Sequence, residues 1–143
     1  GVPDIYQGTE WHDHSLVDPD NRRPVDFAIR TTALGGPVLA HPVTDQRTKQ
    51  ALLCACLRLR REYPEPWQEG ALRPLALSGN STGIVAYSRV AGGNVALIVA
   101  SVRPGSVDPT VELLIDDGWH TIAWRDGLTG QRFAASARVK VAL

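Results

Sequence analysis

The chain has 143 residues, no methionine and no net charge, 15 Lys+Arg standing against 15 Asp+Glu. A balance of this kind promises no general attraction to nucleic acid or to an anionic membrane, so neither is expected as a partner. An uncharged substrate fits at least as well. Cysteine is as sparse: Cys54 and Cys56 stand two residues apart in a segment of helical character. That spacing sends the two side chains to roughly opposite sides, which disfavours a disulfide between them. Two thiols also fall short of the ligands that a metal site needs. The expectation is a pair of small buried side chains in a reducing compartment, hence a cytoplasmic protein. No stretch approaches the roughly 18 apolar residues of a membrane span, and no signal-peptide pattern opens the chain. With 43% hydrophobic and 21% charged residues, the composition is globular.

The opening is unusual. "VPDIYQG" sets Val2, Ile5 and Tyr6 among turn formers and predicts a short buried strand ending at Gly8. From Thr9 to Asn21 the chain is polar and reads as a loop. Pro24 suits the first turn of a helix over about 25–34, which the Gly35-Gly36-Pro37 sequence stops. A longer helix is predicted from Thr44 as N-cap, with Asp45 just inside its positive end. Leu52, Cys56, Leu59 and Tyr63 form one helical stripe on it, flanked by Leu53 and Leu57. Arg58, Arg60 and Arg61 fall near the carbonyl end and Pro64 closes the helix. The arginines read as a solvated face that compensates the helix dipole, in preference to a nucleic-acid patch.

After Pro66 the texture changes to short β-rich runs: "LRPLAL", "GIVAYSRV", "NVALIVASV", "VELLI", "WHTIAWRD" and "ARVKVAL". Turn chemistry separates them, and "VAGGNV" predicts a hairpin with a Gly-Gly corner. Such a series implies an antiparallel sandwich or meander with Trp119 and Trp124 in its core. The expected domains are residues 1–66 and 67–143. A strand, a long polar loop and a helix cannot bury their own apolar faces, so the first piece wants a larger sheet. It reads as one βα unit of a barrel, where loops at the strand C-termini build the active site. The predicted fold class is therefore an α+β fragment: the last βα unit or units of a (β/α)8 barrel, then an antiparallel β-sandwich.

The residues also carry a resemblance. "GVPDIYQGTE" resembles the eighth strand of the catalytic barrel in the α-amylase superfamily (glycoside hydrolase family 13), whose usual form is Pro-Gly-x-Pro-x-Ile-Tyr-x-Gly-x-Glu. "SLVDPDNRRPVDF" and "LRLRREYPEPWQEGALRPL" resemble, more narrowly, a branch that rearranges the ends of α-glucans. The likeness covers 1–34 and 44–77 and is architectural beyond. It implies an intramolecular transglucosylation in trehalose biosynthesis. The reducing-end α-1,4 bond of a maltooligosaccharide becomes α,α-1,1, with no cofactor. The chemistry resembles that of retaining glycosidases, with one carboxylate as nucleophile and another as acid and base. The released glucose must turn over and accept the glycosyl group before water does.

In that superfamily the three catalytic carboxylates lie on the fourth, fifth and seventh strands. Glu10, Asp13, Asp18 and Asp20 match none of those motifs, so no catalytic residue is expected here and the chain alone should be inactive. What the resemblance does imply is substrate binding by the loop holding Asp18, Asp20, Arg22 and Arg23. Sugar hydroxyls suit planar, multi-donor partners of the Arg and Asp type. The alternative is a self-contained ion pair in which Asp20 caps the short helix and an Arg braces it. Trp11 is a candidate for stacking on a sugar face, or equally for packing the barrel rim. His12 and His14 have the look of a metal pair, but no third ligand is close in sequence and no metal is expected. The expected partners are a maltooligosaccharide and the missing N-terminal portion of the barrel. Rival readings are an α-glucan hydrolase of the same superfamily and a non-catalytic carbohydrate-binding or structural β-module.

Overall fold

The computed structural model describes residues 4–17, 22–36, 44–102, 110–116 and 118–143. The chain forms two compact units, Gly1–Glu62 with Gly127–Gly130, and Tyr63–Asp126 with Gln131–Leu143.

The first unit is helical. Helix α1 (Phe27–Ala33) opens at Asp26, whose carboxylate accepts the Ile29 N–H at 3.1 Å. Asp26 thus takes the start that Pro24 was expected to make, because its side chain satisfies an orphan donor and Pro24 has none to offer. Helix α2 (Gln46–Glu62) starts in the same way. Asp45 Oδ1 accepts the Arg47 N–H at 2.8 Å, so Asp45 and not Thr44 caps the helix. A carboxylate at that position also meets the positive end of the helix dipole.

Two expectations fail in this unit, the opening strand and the buried cysteine pair. Asp4–Tyr6 have no strand partner and Gln7–Glu10 form a turn, so the described part of the opening segment is not a strand. A strand needs a neighbour to take its N–H and C=O groups, and the first unit has no strand among its described residues. The α2 stripe is covered only in part: Leu59 is half-buried, Leu52, Cys56 and Tyr63 are exposed, and the inward arc also takes in Gln50, Leu53 and Cys54. Both cysteines are free, Cys54 half-buried and Cys56 exposed, rather than a buried pair.

The second unit begins with helix α3 (Pro64–Gln68), so Pro64 not only ends α2 but occupies the first turn of the next helix. Strands β1 (Ala71–Pro74), β2 (Leu77–Ser78), β3 (Ile84–Ala91) and β4 (Asn94–Ser101) follow, then β5 (Thr110–Leu114), β6 (Trp124–Arg125), β7 (Arg132–Phe133) and β8 (Arg138–Ala142). They make three sheets with orders β1-β3-β4, β2-β5-β8 and β6-β7, antiparallel throughout. β3 and β4 pair from Ile84↔Ser101 to Ala91↔Asn94 around Gly92 and Gly93. Both glycines have positive φ, 59° and 76°, as a two-residue hairpin matching the strand twist requires.

Alternation along β5 turns Val111 and Leu113 inward, where they meet Ile115 and Val139 as a buried core. Leu77, Leu97, Val99 and Phe133 pack on it, so side chains from all three sheets share that core. Each such fully buried aliphatic stabilises the unit by about 1.5–3 kcal/mol. "WHTIAWRD" is not one strand. Gly118–Thr121 turn, with the Trp119 N–H on Asp116 O at 2.8 Å, and only Trp124–Arg125 pair, against the unforeseen β7. Trp119 and Trp124 nevertheless pack half-buried on the core, as expected of them. No helix among the described residues is long and apolar enough to cross a membrane.

Candidate functional site

The turn after Tyr6 builds one wall of a cleft in the first unit. Gly8 has φ of 95°, and a Cβ there would stand 2.6 Å from Val25 Cγ2. Conformation and space therefore both call for glycine. Thr9 closes the turn by donating its N–H and its hydroxyl to Tyr6 O, at 3.1 and 2.6 Å. Glu10 folds back and accepts the Gly8 N–H at 2.9 Å.

Beyond the turn, Asp13 accepts the N–H of Ser15 at 2.9 Å and also its hydroxyl. These bonds favour the charged carboxylate and hold the Asp13 pKa below its ordinary value, with smaller help from the charges of Arg23 and His14. The rings of its sequence neighbours His12 and His14 stack on one another, with centroids 6.1 Å apart. Among the described residues, no group of three or more His, Cys, Asp or Glu side chains gathers as a metal site.

The cleft is open and holds about 300 Å³. Tyr6, Gln7, Gly8, His12, Asp13 and Ser15 line it from the opening segment, and Arg23, Pro24, Val25, Asp26 and Arg30 from the approach to α1 and from α1 itself. Its volume is at the small end of the roughly 300–1,000 Å³ usual for small-molecule sites. The lining offers hydrogen-bonding chemistry: the Arg23 guanidinium, the Asp13 and Asp26 carboxylates and several neutral donors and acceptors.

Of the residues singled out from the sequence, Arg23 lines this cleft, while Arg22 is exposed and not part of the lining. Asp18 and Asp20 lie outside the described residues. Trp11 stands beside the cleft, held within the unit: its indole N–H donates to Gln50 Oε1 at 2.7 Å, and the Arg30 guanidinium lies 5.0 Å from its ring centroid. Lys49 Nζ donates to Trp11 O at 3.3 Å.

Sequence reasoning missed Arg30 and Gln50, and weighed Glu10 only as an acid or base. A signal did exist for Gln50. It sits three and four residues before Leu53 and Cys54, a polar side chain on the inward arc of α2, and it is 3% exposed. Arg30 left no comparable trace, because its partners at Gly8 and Gln50 are 22 and 20 residues away.

The chain is 42% identical, over 144 aligned positions and 95% of its length, to a protein named "Putative maltooligosyl trehalose synthase" from Mycobacterium tuberculosis strain CDC 1551 / Oshkosh. The protein of that name from strain ATCC 25618 / H37Rv matches to the same extent. The chain spans 16% of the length of each of these relatives. No family model matches it, and no solved structure matches it.

Proposed function

We propose that this chain, a sequence relative of maltooligosyl trehalose synthases over nearly all its length, is the end of such an enzyme's catalytic barrel together with the β-sandwich domain that follows. Residues 1–66 are the barrel portion in this reading, and 67–143 the second domain. The whole enzyme isomerises the reducing-end α-1,4 bond of a maltooligosaccharide to α,α-1,1. The 42% identity is the observation that carries the reading.

The cleft supplies its local chemistry. Arg23 offers a planar fork to vicinal sugar hydroxyls, and Asp13 and Asp26 accept from them. Arg22, Asp18 and Asp20 complete the same loop as sugar contacts, and Trp11 is a border residue of the subsite. The nucleophile and the acid/base carboxylates come from parts of the enzyme beyond this chain, so residues 1–143 alone bind weakly and turn nothing over. The role of these side chains is to seat the glucose unit so that it, rather than water, receives the glycosyl group.

The full-length polypeptide is the material for the test, with maltopentaose as substrate. Arg23→Ala raises KM about tenfold, as loss of a charged sugar contact should. An unchanged KM removes Arg23 from the subsite.

A further inference from the structure

Both backbone groups of Gly8 are held by one ion pair. Glu10 Oε2 accepts its N–H at 2.9 Å, and Arg30 Nη2 donates to its carbonyl at 2.8 Å. Arg30 Nε and Glu10 Oε2 are 3.4 Å apart, a charge contact outside hydrogen-bond geometry. Arg30 Nη1 reaches Asp26 O at 3.0 Å, so a single guanidinium, 16% exposed, ties the turn to the start of α1. From there the links close into a ring. Gln50 donates to the Arg30 carbonyl at 2.8 Å and accepts from Trp11 Nε1 at 2.7 Å, which returns to the loop. A buried amide with both ends satisfied is rigid, since any rearrangement strands a polar group.

We propose that Arg30 and Gln50 are positioning residues that fix the segment of residues 6–13, part of which lines the cleft together with Arg23, and thereby set the affinity of the cleft for the glucan end. This rests on the reading of the cleft as a maltooligosaccharide subsite. The helices do not need the bracket in order to form, because Asp26 and Asp45 cap them independently. What the bracket adds is the place of the loop. Arg fits where Lys does not, because one ammonium cannot serve the Gly8 and Asp26 carbonyls from a fork.

The test uses the full-length polypeptide with Arg30→Lys and, separately, Gln50→Leu, which keeps the volume and removes both hydrogen bonds. Arg138→Ala, on the exposed Arg138–Glu112 pair of the second unit, is the control. Amide exchange in residues 6–13 rises about tenfold in both bracket variants and stays put in the control. KM for maltopentaose rises about tenfold while kcat stays within about twofold, the pattern of lost uniform binding. Unchanged exchange overturns the bracket, and faster exchange with unchanged KM overturns its positioning role. Wild-type enzyme that leaves maltopentaose untouched sinks the functional reading instead, and exchange then decides the bracket alone.

Discussion

The two units bury different things. The second encloses Val111, Leu113, Ile115 and Val139, a core of its own that three sheets share. In the first, only Gly8 and Gln50 are buried among the described residues, and neither is hydrophobic. Its apolar side chains face outward instead: Phe27 is 53% exposed and Leu52 40%, with Ile29 and Leu57 alongside. Hydrogen bonds and ion pairs organise the first unit where packing organises the second. Polar links of this kind hold a shape yet contribute little net stability each, typically about 0.5–1.5 kcal/mol. The difference teaches that the second unit owes its shape to an apolar core of its own, while the first leaves its larger apolar side chains at the surface.

The sharpest way to break this comparison is to delete equal volumes from the two units. Leu113→Ala leaves a cavity in a shared core and should cost about 2–5 kcal/mol in a urea titration of the chain. Leu52→Ala, on the exposed face of α2, should stay within about 0.5 kcal/mol. Equal losses would mean that α2 is packed as tightly as β5.

A smaller effect is expected at Gly8. Alanine there must adopt a positive φ and meet Val25, so it should destabilise the loop by roughly 1–3 kcal/mol. Amide exchange should report the damage in residues 6–13 and leave β3 to β5 untouched. Damage that spreads into those strands would show that the two units unfold as one.

The smallest concerns Asp13. Its folded pKa lies below the ordinary 3.8, chiefly because of the two Ser15 hydrogen bonds. The stabilisation this represents is present above pH 3.8 and is lost as pH falls through the lower folded value. Ser15→Ala should move the Asp13 carboxyl back toward 3.8 in an NMR titration, and no movement would leave the depression to the Ser15 backbone N–H and the charges of Arg23 and His14.

How much of this was legible in the sequence follows the range of the interactions. The Gly92-Gly93 corner, the helical span of α2 and the basic last turn with Arg60 and Arg61 are local, and they stand where the residues put them. The cap at Asp45 was off by one residue, because Thr44 and Asp45 are both good caps and only geometry chooses between them. Strand character at Ile5 and Tyr6 depends on a partner outside the segment, and no propensity supplies one. The apolar run around Trp119 and Trp124 promised a strand, but the turn at Gly118–Thr121 interrupts it. At the site, the resemblance pointed to Arg22 or Arg23 without choosing between them, and Arg23 is the one that lines the cleft, whereas the Arg30–Gln50 bracket joins three separate segments and leaves no local pattern.

One measurement bears most directly on the whole account. The full-length polypeptide is incubated with maltopentaose, and reducing ends and product mass are followed together. The account predicts that reducing ends disappear while mass stays constant, because one glycosidic bond replaces another and no water is added. Reducing ends that increase while chains shorten would contradict it and make the protein an α-glucan hydrolase.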